Sequence, residues 1–374
     1  MKRLKVMTVV GTRPEIIRLS RVIPKLDEYF DHVLVHTGQN YDYELNEIFF
    51  EELELRRPDH YLDAAGATPA ETIGKTIIAI DPVLEKEKPD AMLVLGDTNS
   101  CLCVIPAKRR KIPIFHMEAG NRCFDQNVPE EINRKIVDHV SDINLPYTEH
   151  SRRYLLSEGF RKDHIFVTGS PMREVLEFYQ KKIEISNALE KLNLKIGGYI
   201  LVSAHREENL DLEKNFYSVV ETLNKVAEEF QLPIIYSTHP RSLKRIKRTG
   251  VKFNPLISNL KPFGFLDYNK LQQEAFCVLS DSGTLSEEAT ILGFPGVLFR
   301  TSTERPEVID QGSIVIGGIE PDGVINSIRL ARDCFESKEK AQLPLNYLEK
   351  NVSSKVVKII ESYYKIVNLY TWRK

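Results

Sequence analysis

The chain has 374 residues, more than one hydrophobic core normally supports, and 42% of them are apolar, so two globular domains are expected and wholesale disorder is excluded. Its 51 basic and 53 acidic residues leave a formal charge of −2, which offers nucleic acid no basic field. No stretch reaches the roughly 18 apolar residues that span a bilayer, the apolar run 6–10 is too short for a signal peptide, and the cysteines show no framework spacing; a cytoplasmic protein with reduced thiols and no membrane or nucleic-acid partner is expected.

In chain order, β-rich runs alternate with helical patterns. Strands are predicted over 4–10, 32–36, 91–95, 112–116, 143–145 and 165–168, with helices such as 69–87 and 129–140 between them. After a polar segment near 181–196 the pattern restarts, with strands over 199–203, 233–237, 277–279 and 296–299 and helices over 213–229 and 285–292. A long amphipathic helix, 353–367, follows. The alternation predicts an α/β protein of two Rossmann-like, doubly wound domains, 1–172 and 173–352, facing across a cleft, with 353–374 able to pack on the first.

The polar motifs fall at the carboxyl ends of predicted strands, where open α/β sheets bind ligands. Gly11-Thr12-Arg13-Pro14-Glu15 closes the first strand: glycine permits the turn, proline suits the first helical position, and Arg13 sits at a helix N-terminus that favours phosphate. A solvated Arg13 is the plainer alternative. There is no Gly-x-Gly-x-x-Gly and no Walker lysine motif, which counts against a dinucleotide or an ATPase. Asp97, in Gly96-Asp97-Thr98-Asn99, either caps the next helix or takes part in chemistry. Glu118 follows an apolar strand end, where partial burial would tune a carboxyl for proton transfer. Glu130 and Glu131 open a helix whose dipole favours negative charge, so at least one of them can be structural. His205, followed by Arg206-Glu207-Glu208, is the best-placed histidine for proton transfer, with His239 its competitor.

In the second half, Asp281-Ser282-Gly283-Thr284 opens a helix, and its hydroxyls and amides form an anion cradle. Glu288 lies four residues after Thr284, on the same helical face and within reach of ribose hydroxyls. The run 300–307, with Arg300 and Arg305, adds a cationic clamp. No metal-ligand set and no Gly-x-Ser-x-Gly elbow occurs in the sequence.

In order and spacing, Gly11–Glu15, Gly96-Asp97-Thr98, Glu118-Ala119-Gly120, Pro129-Glu130-Glu131-x-Asn133-Arg134, His205-Arg206, Asp281-Ser282-Gly283, Glu287-Glu288 and Thr303-Glu304-Arg305-Pro306-Glu307 resemble the non-hydrolysing UDP-N-acetylglucosamine 2-epimerases over essentially the whole chain. The resemblance implies a fold like that of the B-type glycosyltransferases with the active site in the interdomain cleft, no cofactor and no metal, a UDP-linked 2-acetamido sugar as substrate, and a homodimer. Carried over residue by residue, Asp97, Glu118 and Glu130 stand at the acidic catalytic positions and His205 at the catalytic histidine. Arg13, Ser282, Gly283, Glu288 and Arg305 stand at UDP-binding positions, with the Thr284 amide in the same cradle and Tyr268 near the uracil.

Three departures qualify the match. Arg18 replaces a lysine that the family commonly has among its substrate-binding residues, keeping the charge but with fork geometry. Gln39-Asn40-Tyr41-Asp42 replaces the Gln-His-Arg-Glu of members activated by their own substrate, so such activation is not implied. The loop from Gly120 to Val128 resembles that of the branch forming UDP-N-acetyl-L-fucosamine from its C2 epimer for capsule or O-antigen synthesis. The rivals are a B-type glycosyltransferase, which would need an acceptor site, a hydrolysing epimerase, and a binding protein with a dead site.

Overall fold

The computed structural model describes residues 3–38, 47–204, 206, 212–337 and 342–374, the side chains of 240 and 241 excepted. The chain forms two compact units, Met1–Phe178 with Leu345–Lys374, and Tyr179–Pro344.

In the first unit β1 (Lys5–Val10), β2 (Asp31–His36), β3 (His60–Tyr61), β4 (Ala91–Leu95), β5 (Ile114–Met117) and β6 (Ile143–Leu145) form one sheet in the order β3-β2-β1-β4-β5-β6. Every pairing in it is parallel. Parallel strands joined by crossover helices are covered on both faces and read as continuous apolar runs. β4 shows this directly: all of Ala-Met-Leu-Val-Leu is buried. Met7, Val9, Val35, Met92 and Val94 pack with Ile80 and Leu84 of the helix Pro69–Glu87 in one cluster. The helix Val352–Val367 belongs to this unit, where the Glu174 carboxylate accepts from both the backbone amide and the hydroxyl of Ser353.

The second unit repeats the plan with β7 (Ile200–Ser203), β8 (Ile234–Ser237), β9 (Ile257–Leu260), β10 (Cys277–Ser280), β11 (Gly296–Leu298) and β12 (Val315–Ile316), ordered β12-β11-β10-β7-β8-β9 and again parallel. Ile200, Val202, Leu279 and Val297 pack on Leu223 and Val226 of the helix Glu213–Phe230.

In both sheets the order reverses at the first strand, between β1 and β4 and between β7 and β10. Such switch points leave a crevice beyond the strand ends, where helices diverge to opposite faces. The motifs opening at Gly11 and Gly96 flank the first crevice. Those containing Arg206 and Asp281 flank the second.

The predicted strand 165–168 is not one. Only Ile165 makes an isolated parallel bridge, to Asn144; the Phe166 and Thr168 amides donate to the Asn144 and Pro146 carbonyls, but Pro146 has no N–H to extend the ladder. β3, β9 and β12 were not foreseen. β3 and β12 have two residues each, and β9 is the half-polar edge run Ile-Ser-Asn-Leu, too short for a period-2 signal.

Candidate active site

In the first unit, Thr12 caps the helix Arg13–Leu19 and Glu15 completes a capping box. Gly11 is required by packing, since a Cβ there would lie 2.0 Å from Ser100 Oγ and 2.1 Å from Thr37 Oγ1. Arg13, at the start of the helix, has its guanidinium 5.9 Å from the Phe49 ring. One turn on, Arg18 is buried and donates from Nη1 to Glu118 Oε2 at 2.6 Å.

Glu118 stands at the end of β5 with φ +66, a left-handed conformation unfavourable for a residue with a Cβ. Such strain persists where the surroundings over-determine it, and it is frequent at reacting groups. The surroundings here are specific. Besides Arg18, the Asn121 Nδ2 donates to Glu118 Oε1 at 3.2 Å, and Asn121 Oδ1 is held by the Ser151 hydroxyl at 3.0 Å. Gly120, with φ +79, brings the backbone so close to the helix Glu149–Ser157 that a Cβ would meet Ser151 O at 2.5 Å.

Asp97 follows β4 and accepts from Arg134 Nη2 at 2.8 Å and Nε at 3.1 Å. The third guanidinium nitrogen of Arg134 donates to Glu131 Oε2 at 3.0 Å. Glu131 is wholly buried and also accepts from the Cys123 and Phe124 amides, at 3.1 and 3.3 Å. It thus ties the 120–124 loop to the helix Pro129–Val140. Glu130 is half-buried at the start of that helix.

Beneath this layer Asp138 accepts from the Gly120 amide at 3.1 Å and from Arg122 Nη1 at 2.7 Å, and it lies 2.9 Å from His116 Nδ1. Arg122 also grips Glu158 through Nε and Nη2, at 2.7 and 2.6 Å. Sequence reasoning missed the roles of Arg134, Asp138, Arg122 and Asn121. One signal was present: Glu131, Arg134 and Asp138 follow i, i+3, i+7 spacing, the stripe a helix normally fills with apolar residues.

In the second unit Gly283 caps the helix Thr284–Leu292. A Cβ on Gly283 would lie 2.2 Å from Glu304 Oε1, so a larger residue there would require the Glu304 carboxylate to move. Ser282 Oγ and Thr284 Oγ1 are 2.9 Å apart, and the Thr284 amide donates to Ser282 Oγ at 3.3 Å. Glu288 is buried and accepts from Gln272 Nε2 at 2.7 Å. Arg305, also buried, donates to Glu287 Oε2 at 3.1 Å with Glu307 3.9 Å away. Arg300 pairs with Glu304, which also lies 3.4 Å from Arg206 Nη2. Tyr268 sits half-buried on the helix Phe265–Gln273. His205 lies outside the described residues, as do residues 39–42. His239 is half-buried after β8.

The arrangement can hold an anion on helix N-termini and arginines, and it can move protons with carboxylates fixed by guanidinium groups. Among the described residues no group of three His, Cys, Asp or Glu side chains is placed to hold a metal ion, and no helix is long and apolar enough to cross a membrane.

Comparison with known proteins agrees with these features. The family described as UDP-N-acetylglucosamine 2-epimerase matches residues 24–361. A solved UDP-N-acetylglucosamine 2-epimerase from Rickettsia bellii is 46% identical with TM-score 0.91, covering 100% of both chains. The Methanocaldococcus jannaschii enzyme, solved with UDP-GlcNAc and UDP, is 35% identical with TM-score 0.90, over 96% of this chain and 100% of the other. A UDP-2,3-diacetamido-2,3-dideoxy-D-glucuronate 2-epimerase from Pseudomonas aeruginosa is 36% identical over 331 residues, 87% of this chain and 92% of its own.

Proposed function

The chain belongs to the UDP-N-acetylglucosamine 2-epimerase family, and on that premise we propose how its residues divide the reaction and which sugar it takes. It is a UDP-sugar 2-epimerase, an isomerase. The C2 proton of a 2-acetamido sugar is not α to a carbonyl, so direct removal near neutral pH is slow. Elimination avoids this. The C1–O bond breaks with its electron pair leaving on the diphosphate oxygen, a carboxylate takes the C2 proton, and a glycal forms. The same oxygen then adds back to C1 while a carboxylic acid delivers a proton to the opposite face of C2.

Asp97, Glu118 and Glu130 move the protons. Arg13, His205 and the amides and hydroxyls of 282–284 stabilise the departing UDP, with Arg305, Glu288 and Tyr268 completing its site. The observation that carries this reading is the pair of strand-end carboxylates gripped by separate arginines, Arg18 on Glu118 at 2.6 Å and Arg134 on Asp97 at 2.8 Å. A glycosyl transfer to an external acceptor calls for no such pair.

The substrate we assign is UDP-2-acetamido-2,6-dideoxy-L-talose, giving UDP-N-acetyl-L-fucosamine for capsule or O-antigen synthesis. The resemblance of the 120–128 loop supports it. So does the bond from Asn121 to Glu118, which joins that loop to a carboxylate we assign to proton transfer. Phe124 is 65% exposed and meets Tyr154 edge-on at 5.4 Å, offering an apolar face to a C5 methyl. One such group discriminates by only about 1–3 kcal/mol. UDP-N-acetylglucosamine is the second reading, favoured by the relatives' names and by the sugar nucleotide in the M. jannaschii structure. A homodimer, on the family resemblance, completes the assignment and is tested by sedimentation.

Side-by-side kcat/KM on the two substrates, in D2O with deuterium read at C2, decides both levels. Deuterium at C2 with preference for the 6-deoxy sugar is expected. Equal or better turnover of UDP-N-acetylglucosamine returns the chain to that substrate, and turnover without C2 exchange removes the elimination route.

A further inference from the structure

At each switch point one acidic side chain ties two strand-end loops together. In the second unit Asp281, after β10, accepts the Arg206 amide from the loop after β7 at 2.8 Å. In the first unit the tie is Glu15. Its Oε2 accepts from the Gly11 and Thr12 amides at 2.6 and 2.7 Å and from the Thr12 hydroxyl at 3.2 Å. Its Oε1 accepts from the Thr98 hydroxyl at 2.6 Å, with the Cys101 thiol at 3.7 Å. Thr98 is the residue after Asp97, and Gly11 and Thr12 precede Arg13.

We propose that Glu15 is a positioning residue for the epimerisation, its carboxyl holding the loop that carries Arg13 against the loop that carries Asp97. The role rests on the reading of Arg13 and Asp97 as UDP-binding and proton-moving groups. The tie is buried and closely packed: Glu15 is 1% exposed, and Gly11 approaches Ser100 and Thr37 so closely that a Cβ there would clash.

All the donors to Glu15 among the described residues are neutral. The titratable groups facing it are the thiols of Cys101 and Cys103 on the turn Asn99–Cys103, and burial pushes both up, so they stay protonated. Burial pushes the Glu15 carboxyl up to about 7, although the hydrogen bonds from Thr98, Gly11 and Thr12 oppose that rise. Above that pH the carboxylate accepts every bond. Below it the proton sits on Oε1, because Oε2 faces two amides that can only donate. The Thr98 hydroxyl must then reverse and accept, although it already accepts the Ser100 amide at 3.3 Å. Protonation therefore reties the Asp97 loop.

The test compares wild type, Glu15→Gln and Thr98→Val for kcat and KM between about pH 5.5 and 9. Glutamine places an N–H where the acid form carries its proton, so Glu15→Gln mimics that form at every pH. Its kcat is expected to fall roughly tenfold to hundredfold, with KM within about threefold and no limb near neutrality. Thr98→Val keeps the carboxyl but removes a bond that favours its charged form, so its limb moves to higher pH. A Glu15→Gln profile identical with wild type, or an unmoved limb in Thr98→Val, overturns the inference. Should Glu15→Gln not fold, the Thr98→Val profile decides alone. If wild type turns over no UDP sugar, the functional reading has failed by itself. Carboxyl NMR titration of Glu15 in wild type and Thr98→Val then decides the inference, an upward shift in the variant supporting it and an unchanged titration overturning it.

Discussion

Asp97 and Glu118 are each fixed by an arginine reaching across from another part of the chain, Arg134 and Arg18. Substituting either carboxylate isosterically removes the group we assign to proton transfer while leaving most of its packing. Asp97→Asn, Glu118→Gln and Glu130→Gln are each expected to lower kcat by roughly a hundredfold or more, the usual scale for a lost acid or base. Calorimetry should find UDP affinity little changed; near-full turnover in all three removes them from the chemistry. Glu131→Gln belongs to a different class. Its carboxylate holds Arg134 and two loop amides, so its effect should appear first in stability, with activity following the loop.

At the scale of elements, loops after strands acquire fixed shapes only when something packs beneath them. The loop after β5 rests on buried Arg122, whose charge is satisfied by Asp138 and Glu158. Arg122→Ala would leave the wholly buried Asp138 without its cation, which costs about 3–5 kcal/mol for a broken buried pair. Urea unfolding should show that loss, and a change below about 0.5 kcal/mol would mean the pair is screened. The loop after β1 depends on close approach instead. Gly11→Ala drives a methyl into Ser100 and Thr37, with an expected cost of about 1–3 kcal/mol and a displaced Arg13. Weakened UDP binding by calorimetry, together with a lowered midpoint, checks it; an unaffected affinity shows that Arg13 holds its place without the turn.

For the whole molecule, Glu15 makes stability depend on pH in an unusual direction. Most carboxyls in folded proteins are lowered and stabilise as pH rises. Here the carboxyl is raised from the usual 4.5 to about 7, so the folded chain holds its proton more tightly than the unfolded one. The contribution is fully present below about 4.5 and is lost as pH rises to about 7, an effect on the order of 3 kcal/mol. Glu15→Gln does not titrate, so the stability of wild type relative to this variant should fall between about pH 5 and 7 and level off above. Denaturation at a series of pH values measures it, and a constant difference would place the ionisation elsewhere.

Apolar runs such as 91–95 and the glycine, proline and acidic punctuation after them are local signals, and they were enough to establish the α/β class, most strands and the motifs at strand ends. Two-residue edge strands such as β3 carry no such period, so only the sheet they complete reveals them. The partnerships at the site were not legible either. Arg18 meets Glu118 100 residues away, Thr98 meets Glu15 across 83, and Arg134 meets Asp97 across 37. Nothing in one loop's sequence specifies which charge on another loop will face it. The order of strands in the sheet decides that, because the reversal beside β1 sets the loops after β1 and β4 side by side and leaves their buried charges no partners except each other and the residues of the loops and helices packed around them.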